Sequence, residues 1–188
     1  MLLFLLLNKL SFIHHCKHES EIDPGQRLSH HLSAVRRCAA SVVFVVDKTG
    51  SVGLKNWALS KQFVADVIKG LPVARGRAKV GVISYSTKAT VEVVLGSSRN
   101  VDSIVGDVFA MRYDGSAANT YYAVKKMRHV LENVSGKSVA VIITDGASVT
   151  AGIGDSAAID EAKEAKEAGV KILGIGMFLY VRSPFVSG

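Results

Sequence analysis

The chain has 188 residues, with 23 basic and 16 acidic side chains and a formal net charge of +7. Hydrophobic residues make up 48% and charged residues 21%, which is typical of a single globular domain with a buried core. Excess base can attract an acidic partner, but the Lys and Arg residues are scattered along the sequence without interleaved aromatics. Composition therefore argues against a nucleic-acid-binding protein.

Residues 1–37 differ in character from the rest of the chain and predict a leader. Residues 1–7 are apolar, Asn8 and Lys9 interrupt the run, and it is too short to span a bilayer. We interpret it as a weak signal peptide or as an upstream segment foreign to the domain. The following polar, His-rich stretch matches no standard zinc-finger spacing and predicts disorder.

The domain itself is predicted to span residues 38–188. The two cysteines, Cys16 and Cys38, are too few for a disulfide framework. They could pair with each other, pair with another chain or stay free.

Short buried runs alternate with amphipathic stretches along this domain. The runs predict strands, and the three-to-four spacing of apolar residues predicts helices. Strands are expected over residues 41–46, 78–84, 89–95, 138–144 and 171–176, and helices over residues 54–70, 101–111, 120–133 and 159–168. The residues expected on the buried faces of the first and third helices are Leu54, Trp57, Ala58, Phe63, Val64, Val67, Ile68, Tyr122, Val124, Met127, Val130 and Leu131.

This alternation indicates an α/β fold with a doubly wound, Rossmann-like, mostly parallel sheet and helices on both faces. A short S-T-K link joins the second and third predicted strands. Such a link is typical of a hairpin, so the third strand should be an antiparallel edge strand.

Oxygen-bearing side chains follow the first predicted strand at alternate positions. The stretch A-S-V-V-F-V-V-D-K-T-G-S-V-G places Asp47, Thr49 and Ser51 directly after a buried run, with Gly50 and Gly53 allowing tight turns between them. One carboxylate and two hydroxyls are hard ligands that suit Mg²⁺ or Ca²⁺. The alternative is that Thr49 and Ser51 only cap the next helix.

A second buried strand, the fourth, also ends in an aspartate, Asp145. Ligands of open α/β sheets bind beyond the carboxyl ends of the strands, where the strand order reverses. If the two strands are neighbours, Asp47 and Asp145 face one crevice.

Four segments in the same order resemble the von Willebrand factor type A domain. F-V-V-D-K-T-G-S-V-G is similar to its Asp-x-Ser-x-Ser metal motif, and G-V-I-S-Y-S to its second strand. N-T-Y-Y-A-V is similar to its threonine loop and following helix, and V-I-I-T-D-G-A-S to its fourth strand with a distal aspartate. The resemblance covers about residues 38–177.

The resemblance implies a protein-binding module and not an enzyme. Asp47, Thr49 and Ser51 would hold Mg²⁺ (or Mn²⁺ or Ca²⁺), with Asp145 acting directly or through water. An acidic side chain of a partner protein fills the open metal position in this family, so an adhesion or extracellular-matrix function and an extracellular location are expected. The alternative within the family is a structural module with a degraded metal site.

Three departures from the family pattern bear on this interpretation. Thr49 replaces the usual first serine, and Ala118 stands where a loop threonine normally supplies an oxygen, with Ser116 and Thr120 nearby but out of register. Weak metal binding is therefore expected. The sequence also ends soon after the fifth predicted strand, where the family continues with a helix, so we expect a C-terminally truncated domain. The family's terminal cysteine pairing would account for Cys38.

The stretch D-K-T-G-S also resembles the phosphorylation motif of P-type ATPases, in which the aspartate is a nucleophile. Asp47 would then take the phosphoryl group, and Asp145-Gly146 would help to hold Mg²⁺. Against this, the motif ends in Ser51 instead of threonine, no nucleotide-binding insertion follows it, and the sequence has no apparent membrane span.

Overall fold

A computed structural model describes residues 39–146 and 155–177. The predicted leader, both cysteines and residues 178–188 lie outside these ranges. The described elements, in chain order, are β1 (Ala40–Asp47), α1 (Gly53–Gly70), β2 (Ala78–Tyr85), β3 (Ala89–Val93), α2 (Val101–Ala110), α3 (Thr120–Leu131), β4 (Lys137–Thr144), α4 (Asp155–Glu167) and β5 (Val170–Gly176).

The strands form a single five-stranded sheet with β1 at its centre. Their order is β3-β2-β1-β4-β5. β1 runs parallel to β2 and β4, β4 runs parallel to β5, and β3 is antiparallel to β2 at the edge. This confirms the predicted mostly parallel sheet with one antiparallel edge strand. The order reverses between β1 and β4, so the carboxyl ends of these two neighbours border the crevice of a doubly wound fold.

Both faces of the sheet are covered by helices, as the continuous apolar run of β1 predicts. Val42, Phe44 and Val46 pack with the buried residues of α1 and α2. Val43 and Val45 pack with those of α3 and with Ala165 of α4. Alternate residues of one strand therefore supply two separate core layers, since successive side chains of a strand point to opposite faces.

Some residues expected in the core are exposed. Leu54 is 68% exposed and Tyr122 is 45% exposed, although both fit the apolar spacing of their helices. Each lies in the first turn of its helix, at the carboxyl edge of the sheet, where no strand remains to cover it. Ala58 is also exposed, whereas Ser60 is buried on α1.

Element boundaries otherwise differ from the predictions by only a few residues. α4 begins at Asp155, four residues before the predicted start, because D-S-A-A carries no apolar period to mark a helical face. No helix within the described ranges is long and apolar enough to cross a membrane.

The loop after β1 lies directly against the loop before α3. The Gly50 amide donates a hydrogen bond to the Ser116 carbonyl at 3.0 Å, and the Gly115 amide donates one to the Lys48 carbonyl at 3.2 Å. A Cβ atom added at Gly50 would lie 2.7 Å from the Gly115 carbonyl oxygen. Glycine is therefore required at position 50 for the close approach of two backbones, and not only for a turn.

We expect Gly50→Ala to lower the free energy of unfolding by about 1–3 kcal/mol, because the added methyl forces the two loops apart. Gly106→Ala is the matched control: it lies within α2, and its Cβ would meet nothing within 4 Å. That change should raise stability by about 0.5–1 kcal/mol. Denaturant unfolding followed by circular dichroism measures both, and equal stability of the two variants would contradict the loop contact.

Candidate metal centre

Asp47 is the last residue of the central strand and is only 1% exposed. Its Oδ1 accepts a hydrogen bond from the Thr49 amide at 3.0 Å. Its Oδ2 accepts two more, from the Tyr85 hydroxyl at 2.9 Å and from the Thr144 hydroxyl at 2.8 Å. A buried carboxylate requires such donors, since an unpartnered charge in a protein interior is costly.

Tyr85 and Thr144 are hydrogen-bonding neighbours of Asp47 that the sequence patterns do not reveal. Each ends a strand that flanks β1, and Tyr85 is the register partner of Asp47. Burial raises the pKa of the Tyr85 phenol, and the charge of Asp47 raises it further. Tyr85 therefore stays protonated and remains a hydrogen-bond donor. The sequence feature that could have identified both residues is their position. Neighbouring parallel strands end at the same edge of the sheet, so the last residues of β2 and β4 lie beside the last residue of β1.

Thr49 and Ser51 hold their hydroxyls close together beside this carboxylate. Thr49 Oγ1 and Ser51 Oγ are 3.1 Å apart. Val52 is the N-cap of α1, and no side chain makes a capping hydrogen bond there. The alternative prediction, that Thr49 and Ser51 cap the helix, is therefore wrong.

The spacing of these two hydroxyls fits a small divalent cation. Octahedral Mg²⁺ binds oxygen at 2.0–2.1 Å, which separates adjacent ligands by about 3.0 Å. Thr49 and Ser51 have that separation already, beside the charge of Asp47. The donor set is made of oxygen alone, as hard cations prefer.

The loop that carries Ala118 is anchored on both sides. Tyr113 donates its hydroxyl to the Thr49 carbonyl at 3.1 Å. The Asn119 amide donates to the Ser86 carbonyl at 2.8 Å, and the Asn119 side chain caps α3. Ala118 itself is buried, and its side chain has no oxygen to offer.

The hydroxyls near Ala118 already have hydrogen-bonding partners within the protein. Ser116 donates its hydroxyl to Asp114 Oδ1 at 2.9 Å. Thr120 lies within hydrogen-bonding reach of the Tyr85 hydroxyl. Neither residue is thus an evident substitute for the threonine that Ala118 replaces.

Lys48 ties this loop to the edge strand. Its Nζ lies 3.8 Å from Asp114 Oδ2 and 3.9 Å from Glu92 Oε1. Burial works against ionisation of Asp114, but hydrogen bonds from Ser116 and Ser86 and the charge of Lys48 together lower its pKa. Asp114 therefore stays charged and holds the loop in place.

Asp145 follows Thr144 at the end of β4 and is half-buried. The next amide, that of Gly146, donates to the Thr144 hydroxyl at 3.1 Å. Since Thr144 also contacts Asp47, Asp145 belongs to the same end of two adjacent strands, as the sequence predicts. Residues 147–154 lie outside the described ranges. Within those ranges, no group of three or more His, Cys, Asp or Glu side chains could hold a metal ion.

Several solved structures share this fold. Proximal thread matrix protein 1 from the mussel byssus, in a form whose MIDAS motif is occupied by zinc, has a TM-score of 0.65 at 20% identity, over 73% of this chain and 38% of that one. BatB from Bacteroides thetaiotaomicron has a TM-score of 0.62 at 16% identity, over 73% of this chain and 66% of that one.

Curated relatives match over a similar part of the chain. Chicken (Gallus gallus) matrilin-1 is 28% identical over 145 residues, covering 74% of this chain and 28% of the relative. Human (Homo sapiens) von Willebrand factor A domain-containing protein 2 is 29% identical over 143 residues, covering 74% of this chain and 18% of the relative. Human collagen alpha-1(XXI) chain is 26% identical over 148 residues, covering 77% of this chain and 15% of the relative. The chain thus spans less than a third of the length of these relatives.

The family model for the von Willebrand factor type A domain matches residues 41–184. This match includes the sheet, its four described helices and the loops around Asp47. The chain therefore belongs to the von Willebrand factor type A domain family.

Proposed function

We propose that this domain binds a protein partner through a divalent cation held at the carboxyl edge of its sheet. The observation that carries the proposal is the pair of hydroxyls on Thr49 and Ser51, which lie 3.1 Å apart beside Asp47 and do not cap a helix. The relatives include extracellular matrix proteins, matrilin and collagen, so the module is of the adhesion or matrix type. We place this domain outside the cell on the same ground.

Each residue has a different role in binding the cation. Thr49 and Ser51 would be the direct ligands, and Asp47 would supply the negative charge while its own oxygens receive hydrogen bonds from the protein. Asp145 contributes directly or through water. A bound Mg²⁺ or Mn²⁺ supplies Lewis acidity, and an acidic side chain of the partner fits the coordination position that the protein leaves open. Water would take the place of the side-chain oxygen that Ala118 lacks, which would make binding weak.

A phosphoryl-transfer enzyme is a poorer interpretation of the same residues. Asp47 is almost fully buried, and both carboxylate oxygens already accept hydrogen bonds. A nucleophilic carboxylate needs an oxygen open to an incoming phosphoryl group, which this arrangement does not provide. We therefore propose a binding module without catalysis. A structural module that no longer uses a metal is the alternative, and Ala118 is the residue that favours it.

Calorimetric titration with Mg²⁺, Mn²⁺ and Zn²⁺ tests the metal site. We expect weak binding by the wild type, tighter binding by Ala118→Thr because a fixed oxygen replaces a water, and none by Asp47→Ala because the ion loses its compensating charge. Ser51→Ala should weaken binding without unfolding the domain, because Ser51 is exposed. Asp107→Ala, an exposed change on α2, is the control and should bind as wild type does.

Unchanged Mg²⁺ binding by Asp47→Ala, with folding verified by circular dichroism, would place the metal elsewhere. If Asp47→Ala abolishes binding while Ala118→Thr has no effect, the loop register is wrong, and Ser116 or Thr120 becomes the candidate ligand.

Partner binding is tested by surface plasmon resonance against purified matrix proteins, fibrillar collagen among them. We expect binding to at least one of them in Mg²⁺, its loss in EDTA and in Ser51→Ala, and its retention in Asp107→Ala. Binding that is equally strong in EDTA and in Ser51→Ala would favour the structural module that has lost its metal dependence.

A further inference from the structure

We propose a second binding site, for a sulfated polysaccharide, at the end of the sheet opposite the metal centre. Five basic side chains belong to segments that lie at that end, and we name this set the basic edge: Lys69, Arg75, Arg77, Lys79 and Arg99. Although these residues are scattered in the sequence, the fold gathers them from four elements. The site is separate from Thr49 and Ser51 and goes beyond the function proposed for them.

The contacts of the loops bring these side chains together. Arg75 and Arg77 flank Gly76 in the turn before β2, and a Cβ added at Gly76 would lie 3.4 Å from the guanidinium carbon of Arg99. The side-chain stem of Lys79 packs over Gly96 in the same way. A Cβ added at Gly96 would lie 3.2 Å from Lys79 Cδ. The turn before β2 and the loop after β3 therefore present their cations on one surface.

Lys69 lies in the last turn of α1, next in the chain to the loop that leads to Arg75. The Arg77 carbonyl accepts a hydrogen bond from the Ala40 amide at 3.0 Å, which fixes this surface to the start of β1. The turn that carries Arg75 and Arg77 is thus bonded to the start of β1, next to Lys79 on β2.

The charge of the basic edge is not balanced by neighbours. All five side chains are exposed, and none forms an ion pair within the described parts of the chain. Residues 69–100 contain a single acid, Glu92, which lies beside Lys48 near the metal centre. The closest acids in sequence outside this span are Asp66, which bonds to Gln62, and Asp102 in the first turn of α2. A surface of one sign attracts a ligand of the opposite sign.

The chemistry of these residues favours sulfate groups on a sugar chain. Three of the five are arginines, whose planar guanidinium groups pair with oxyanions through two parallel hydrogen bonds. Residues 69–100 contain one aromatic side chain, Tyr85, and it is buried at the other end of β2. Within residues 69–100, which include all of the basic edge, no exposed aromatic side chain offers the platform on which single-stranded nucleic acids stack. Among polyanions, the choice of a polysaccharide rests on the extracellular location proposed above.

Heparin is the probe for this site, measured by equilibrium binding over a series of salt concentrations. We expect Arg75→Gln/Arg77→Gln/Arg99→Gln to weaken binding by about 10-fold or more at physiological salt and to flatten the salt dependence. Lys55→Gln/Lys126→Gln/Lys166→Gln removes the same charge from exposed positions outside the basic edge, on α1, α3 and α4, and should change affinity less than about twofold. Circular dichroism melting verifies that both variants fold.

Further probes decide the ligand class. Fully desulfated heparin, duplex DNA and vesicles containing phosphatidylserine should each bind more weakly than heparin. If the two triple variants lose heparin affinity equally, binding depends only on net charge, and the proposal is overturned. Equal binding of desulfated heparin, or tighter binding of DNA or vesicles, would overturn the assignment to a sulfated polysaccharide.

Metal dependence separates this site from the first one. Heparin binding should be unchanged by EDTA and by Ser51→Ala, even if the metal site proves inactive. Loss of heparin binding in EDTA would show that the polysaccharide engages the other end of the sheet, and would overturn the basic edge as its site.

Discussion

The buried carboxylate of Asp47 is the interaction on which the functional end of this domain depends. A charge in a protein interior must be surrounded by donors, and here the donors come from three different segments. Tyr85 ends β2, Thr144 ends β4, and the Thr49 amide belongs to the loop that leaves β1. One side chain therefore fixes the relative positions of two strand ends and the loop that carries both candidate hydroxyl ligands.

Contacts that involve no metal hold the surrounding loops in the same arrangement. The Gly50 and Gly115 amides join the loop after β1 to the loop before α3, and Lys48 and Tyr113 reinforce that contact. Loss of the threonine at position 118 removes a ligand but none of these bonds. We therefore expect the substitution to change metal affinity and to leave the shape of the site intact.

The sequence predicts the fold well because strands that are buried on both faces consist of continuous apolar residues. β1 and β4 appear as β-branched runs, and the S-T-K link marks the antiparallel hairpin. The helix ends are harder, since apolar spacing continues past the point where the sheet can cover it, as at Leu54 and Tyr122.

The site is predicted only in part, for a different reason. Asp47, Thr49 and Ser51 lie within five residues and form a local pattern. Tyr85 and Thr144 reach Asp47 from 38 and 97 residues away, and their identities resemble those of ordinary strand residues. The basic edge is equally hard to predict from the sequence, because its members become neighbours only after the strands pair.

The length of β1 sets the distance between the two ends of this domain. The seven steps between its eight residues, at about 3.3 Å each, give about 23 Å from Ala40 to Asp47, along a strand that is paired on both sides. Ligands at the two ends would not compete for space, so both could be held at once by one rigid body. Such a domain would act as a cross-link of fixed length between a sugar chain and a protein. A second attachment of this kind increases the effective concentration of each ligand for its own site.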